Sequence, residues 1–295
     1  MGHMGILVPT LISGLTIGVM YGLFACGTVV LYKATGLINF ALGGLATVAT
    51  FVAWSLIAGQ GWPVWAGVIT ALPIAAAIGA FCYVAVIWPR DGAERTNLLM
   101  RTLGLFLLIQ AVTQLFWGEG QPFTFPSLVP TQGLRIGAVH IPGNLLAAVG
   151  LAVITAAGFW LLFTRTRVGL LMRAVADSPD VAGLLGVRTK IIAGVAWALS
   201  TVVAYGVGLL TAPTLLLSTH MLDSFMLFAF TAVVCGGLDS FAGGLLGGVL
   251  IGLLSTAMAV FAAPEWSVVS VFALLLATLL LRPAGMFGRL SSERL

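Results

Sequence analysis

From residue 34 to residue 89 the chain reads ATGLINFALGGLATVATFVAWSLIAGQGWPVWAGVITALPIAAAIGAFCYVAVIWP, with no Asp, Glu, Lys or Arg between Lys33 and Arg90. A helix rises 1.5 Å per residue, so about 20 apolar residues cross a bilayer core roughly 30 Å thick. The stretch therefore holds two crossings. The break between them is Gly59-Gln60-Gly61-Trp62-Pro63, a turn cluster with a Trp suited to the membrane interface. Spans are expected near 8–31, 37–57 and 64–88, and further ones near 98–117, 144–164, 191–210 and 267–281.

Two more segments do not fit a plain crossing. Between Asp223 and Asp239 the uncharged run would reach only about 22 Å as a helix, short of the hydrocarbon thickness. It leads into VVCGGLDSFAGGLLGGVLIG, residues 233–252, and a glycine-rich helix. The expected fold is all-α: a polytopic integral membrane bundle of eight or nine passes, two of them short or broken, forming a single transmembrane domain over residues 1–295.

Composition agrees. The chain is 60% hydrophobic and 7% charged, whereas about a quarter of the residues of a soluble domain are charged. The net charge of +4 does not point to nucleic acid, because the cations stand at the ends of apolar segments. Lys33, Arg90, Arg95, the cations of 165–190, and Arg282, Arg289 and Arg294 fall on one side of the spans. Arg135 stands alone on the other, and Arg101 lies near the inner end of the fourth span. The positive-inside rule then puts the N-terminus outside and the C-terminus in the cytoplasm. No Lys or Arg precedes the first apolar run, so that run is not read as a cleaved signal, and Met1 to Met4 are set aside as a possible cloning remnant. Cys26, Cys82 and Cys235 lie far apart in apolar runs and read as buried free thiols, with no metal spacing.

Residues 118–143, rich in Pro, Gly and Thr, read as an external loop with a short hairpin around RIGAVHI and a solvated His140. The cytoplasmic loop is RTRVGLLMRAVADSPDVAGLLGVRTK, residues 165–190. Inside it Ser178 can cap a helix, Pro179 suits the first helical position, Asp180 complements the dipole, and Gly186 can end the helix in a left-handed conformation. Val181, Leu184 and Leu185 share one face of that helix, 179–185. So short a helix needs its apolar face covered, either by its own chain or by a groove on a soluble partner.

Small and polar residues mark further candidates. Gly14, Gly18 and Gly22 repeat at i, i+4, as do Gly244, Gly248 and Gly252, and each stripe lets a neighbouring helix approach closely. In TGLINFALGG, Asn39 precedes Gly43-Gly44. That pattern suits either helix packing or an interrupted helix beside a transport path. A carboxylate at mid-membrane is costly, so Asp239 should lie at the inner end, cap a helix or face a polar cavity. No GxxxxGK[ST], HExxH or GxSxG occurs, so this chain is not expected to hold ATP, a cofactor or a metal, nor to be an enzyme.

Four stretches together resemble the permease family of branched-chain amino acid ABC importers: GLINFALGG (36–44), RAVADSPDVAGLLGV (173–187), VVCGGLDSFAGGLLGG (233–248) and LRPAGMFG (281–288). The resemblance implies an inner-membrane permease subunit paired with a second, identical or homologous permease. It further implies two ATP-binding subunits that carry the ATP, an external solute-binding protein and surrounding lipid. Asn39, Phe40, Gly43, Gly44, Gly236 and Gly237 would line the solute path. Ser178, Pro179, Asp180, Val181, Leu184, Leu185 and Gly186 would couple to the ATPase. Leu42 and Gly44 stand where the family usually carries a polar or charged pair, so the path is expected to be less polar and a more apolar solute is admitted. The implied substrate is a branched-chain or other hydrophobic amino acid or a related small solute. A permease of the same superfamily for sugars, nucleosides or urea is the alternative. A membrane enzyme or scaffold is a third, with Asp239 and His220 as its only reactive groups.

Overall fold

The computed structural model describes residues 4–88, 95–129, 133–136, 139–282 and 284–288. Arg90, Asp91 and Glu94 of the first cytoplasmic loop, Pro283, and Arg289 and Arg294 of the tail lie outside the described residues, as do Met1 to His3 and the side chains of Arg95, Pro179 and Asp180. Helices dominate: α1 (Met4–Thr35), α2 (Leu42–Trp54), α3 (Val64–Cys82), α4 (Arg95–Trp117), α5 (Gly143–Arg165), α6 (Arg167–Asp177), α7 (Pro179–Leu184), α8 (Thr189–Leu215), α9 (Asp223–Gly236), α10 (Phe241–Phe261) and α11 (Pro264–Leu281). Eight helices among the described residues are long and apolar enough to cross a membrane, and α9 is a further apolar helix, shorter than these eight. Both α2 and α3 end in a wider π turn, Ser55–Gly59 and Tyr83–Ile87.

The spans sit where the uncharged runs placed them, but several are longer. α1 continues to Thr35, where Gly36 at φ +66° ends it, and α8 passes through Pro213 to Leu215. A proline in the last turn removes few hydrogen bonds, so the helix outlasts it by only two residues. Residues 167–177 differ more: they form a separate helix, α6, capped by the Thr166 hydroxyl, which accepts from the Gly169 amide at 3.0 Å. β1 (Leu134–Ile136) and β2 (Val139–Ile141) form the antiparallel hairpin expected around RIGAVHI, with Arg135 opposite His140. All three cysteines are free and buried.

The chain groups into two compact units. One comprises Met1–Val29, Val129–Val153 and Leu227–Leu295. Within it the two glycine stripes face each other. A Cβ on Gly18 would lie 2.8 Å from the Val249 Cα, and one on Gly22 would lie 2.9 Å from the Leu245 carbonyl. In the reverse direction a Cβ on Gly248 would run into the Gly22 backbone, and one on Gly252 into that of Gly18. Lipid tails are as apolar as leucine, so these helices gain little by hiding side chains from each other; close backbone contact supplies the attraction.

The other unit comprises Val30–Leu128 and Ile154–Met226. α8 is its centre, with Trp197 and Tyr205 fully buried. The Tyr205 hydroxyl donates to the Val68 carbonyl at 3.1 Å. Gly79 of α3 meets the Trp197 carbonyl and Thr201 of α8, and Gly208 of α8 meets Thr50 of α2. Lys33, Arg165 and Lys190 lie over the rings of Phe163, Trp160 and Trp88 at 6.0, 6.0 and 5.6 Å. Such pairs suit helix ends at a membrane surface.

Replacing Gly252 by Leu drives a side chain into the Gly18 backbone and should cost at least about 1–3 kcal/mol. Gly150→Ala, where a new methyl meets nothing within 4 Å, should be neutral or stabilising by up to about 1 kcal/mol. Thermal unfolding in detergent checks both.

Candidate functional site

α7 is six residues long. Its backbone starts from Ser178, whose carbonyl accepts from the Ala182 amide at 3.0 Å, but the Ser178 side chain makes no capping hydrogen bond. The expected side-chain cap is absent. The helix closes one residue earlier than expected, with Leu185 at its C-cap and Gly186 at φ +84°. There the Val187 amide donates back to the Ala182 carbonyl at 3.0 Å. Ala182 is the buried side of this turn. Val181, Leu184 and Leu185 are 53%, 88% and 80% exposed. The chain leaves this apolar face open.

α6 approaches from the other side of Ser178, with Met172 and Val175 buried and Val168 and Leu170 outward. A Cβ on Gly169 would strike the Leu162 carbonyl, so only glycine fits the sharp turn from α5.

In the segment between α1 and α2, Asn39 is buried and its Oδ1 accepts from the Ala41 amide at 2.9 Å, an Asx turn that opens α2. Phe40 is half-buried. Gly43 approaches the Leu222 carbonyl and Gly44 approaches Ile109, so this pair accommodates neighbouring chain. Gly236 and Gly237 are buried in the first unit. Gly236 meets the Gly243 backbone, and Gly237, at φ +104°, meets Gly285 and Gly288. The Met286 amide donates to the Cys235 carbonyl at 2.8 Å and the Phe287 amide to the Gly236 carbonyl at 3.0 Å. Two motifs far apart in sequence thus form one backbone contact. The cap of α10 is Ser240, whose hydroxyl accepts from the Gly243 amide at 3.0 Å; Asp239 is exposed and does not cap it.

The structure adds a polar cluster in the second unit. Gln110 Nε2 donates to Asp223 Oδ1 at 3.0 Å and to Oδ2 at 3.3 Å. His220 Nδ1 lies 2.8 Å from Asp223 Oδ2, so His220 has a partner three residues away. Gln121 bridges the Trp117 carbonyl at 2.6 Å and the Thr219 amide at 3.0 Å. Phe123 and Leu217 exchange both main-chain hydrogen bonds, at 2.9 and 2.8 Å. Aromatic rings adjoin: Trp117 stacks on Phe51 at 5.2 Å between centroids, and Trp54 on Phe123 at 4.2 Å. Sequence reasoning passed over Gln110 and Gln114. The signal was there, two glutamines one turn apart inside an apolar span. No group of His, Cys, Asp or Glu able to hold a metal ion occurs among the described residues.

These features define a polytopic helical membrane protein. Residues 10–279 match the family described as branched-chain amino acid transport system / permease component, and the chain belongs to that family. It is 27% identical over 295 residues to the high-affinity branched-chain amino acid transport system permease protein LivH of Escherichia coli (strain K12), covering 96% of each chain. The corresponding protein BraD of Pseudomonas aeruginosa is 26% identical over 302 residues, also with 96% of each covered. A probable LivH of Methanocaldococcus jannaschii is 25% identical over 284 residues, covering 90% of this chain and 88% of its own. Among solved structures, PsaBC from Streptococcus pneumoniae in complex with Fab shares the fold, with a TM-score of 0.50 at 15% identity over 93% of this chain and 91% of that one.

Gln121→Leu removes the bridge between Trp117 and Thr219. It should cost about 1–3 kcal/mol by leaving the buried groups unpaired, and should speed amide exchange at 217–221 in hydrogen-exchange mass spectrometry.

Proposed function

We propose that this chain is the membrane-spanning subunit of an ATP-driven importer for a branched-chain or other hydrophobic amino acid, residing in a bacterial inner membrane with α7 on the cytoplasmic side. The observation that carries the coupling role is the open apolar face of Val181, Leu184 and Leu185 on a helix too short to stand by itself. In this reading a groove on an ATP-binding subunit takes those three side chains, and ATP is bound and hydrolysed there rather than on this chain. A rigid turn at Gly186 passes the motor's movement to α8, the central helix of its unit. A second permease chain completes the membrane part, and an external solute-binding protein delivers the substrate. The solute passes beside Asn39 and Phe40. The names of the relatives support the substrate class: LivH and BraD are called branched-chain amino acid transport system permease proteins.

Fully burying one leucine contributes about 1.5–3 kcal/mol, and each 1.4 kcal/mol is tenfold in affinity. The double substitution Leu184→Asp, Leu185→Asp should therefore weaken co-purification with candidate ATP-binding subunits by at least about a hundredfold, and abolish uptake, while leaving the thermal unfolding of the permease unchanged. Undiminished co-purification and uptake would refute the coupling role.

A further inference from the structure

The polar cluster formed by α4 and the start of α9 leaves one buried hydrogen-bond acceptor without a donor among the described residues. Asp223 brings a carboxylate whose side chain is 34% exposed. Gln110 has one orientation open to it, with its NH2 toward that carboxylate. Its Oε1 is then buried and has no hydrogen-bond partner among the described residues. Gln114 lies one turn further along the same face of α4, and among the described residues its Oε1 accepts from the Thr219 hydroxyl alone, at a long 3.5 Å. His220, whose Nδ1 lies 2.8 Å from Asp223 Oδ2, has a side chain 73% exposed.

We infer that Asp223, Gln110 and Gln114 form a recognition point for a primary ammonium group. An ammonium brings three N–H donors and a positive charge, which match one carboxylate and two amide oxygens in number and sign. Hydrogen bonds from a charged donor to a carboxylate are among the strong ones. A hard metal cation wants a shell of about six oxygens, more than these three side chains bring. An anionic ligand would meet the Asp223 charge. The stacked pairs Trp117 with Phe51 and Trp54 with Phe123 meet through the edge contact of Phe51 with Phe123 at 6.3 Å, and Gln121 ties Trp117 to Thr219 beside His220, so an apolar body attached to the ammonium has the half-buried Trp54, Trp117 and Phe123 nearby. The inference rests on the amino-acid reading of the previous subsection and deepens it: the amine end of the solute is what this cluster reads.

The test is thermal unfolding of the full chain in nanodiscs, titrated separately with L-leucine, 3-methylbutylamine, 4-methylpentanoate and NaCl. L-leucine and the amine should raise the unfolding temperature. The carboxylate without an amine, and NaCl at equal ionic strength, should not. Asp223→Asn should weaken the amine titration by about tenfold or more, as expected for one lost charge-assisted contact. Gln114→Met, at an exposed position where folding is preserved, should weaken it several-fold. Equal shifts with NaCl or 4-methylpentanoate, no shift with the amine, or titrations unchanged in both variants would overturn the inference. The titration involves no ATP-binding subunit, so it can fail while the α7 coupling test succeeds, and the reverse.

Discussion

In hydrocarbon every backbone amide and carbonyl must find its partner inside the protein, and this constraint governs the whole chain. Helices meet it, and the described residues spend nearly all their apolar length in them. With the backbone satisfied, what remains to hold helices together is the distance of approach. The glycines at positions 14, 18 and 22 facing those at 248 and 252 show the solution in one unit, and Gly79 of α3 against α8 and Gly208 of α8 against α2 show it in the other. Where side chains are removed, main chains touch.

This constraint also explains where polar chemistry is found. Threonine hydroxyls in the spans return to carbonyls one turn back, as Thr47 does to Gly43 and Thr201 to Trp197, so they cost the helix little. Groups with no such local outlet gather where helices end. Asn39 turns the chain into α2, Ser240 starts α10, and Asp223 opens α9 with Gln110 beside it. The sites that could recognise a solute or grip a partner are therefore at breaks between helices, and the proposed coupling helix is one of these breaks.

Much of this was legible in the residues. The uncharged run from 34 to 89 required two crossings, the 15-residue gap between Asp223 and Asp239 required a short one, and Gly186 required a left-handed stop that the structure supplies at φ +84°. Helix α6 was legible but passed over: Val168, Leu171, Met172 and Val175 recur at i, i+3, i+4 and i+7, one apolar face between arginines, and Met172 and Val175 of that face are buried. The Ser178 side-chain cap does not form, although its backbone lies at φ −158°, ψ 100°, in the extended region from which Thr166 and Ser240 cap their helices. The contact of the Gly236 region with Met286 and Phe287, and that of Gln110 with Asp223, join residues about fifty and more than a hundred positions apart. No periodicity within a segment encodes such meetings.

The account turns on which side of the membrane the 165–190 loop occupies, because a motor fed by ATP can grip α7 only from the cytoplasm. Since Cys26, Cys82 and Cys235 are all buried, a single added thiol at Ser178→Cys can be read against a quiet background. The decisive measurement is its labelling by a membrane-impermeant maleimide in vesicles of known sidedness. The account predicts reaction in inside-out vesicles and none in right-side-out ones. Labelling from the external face would contradict it.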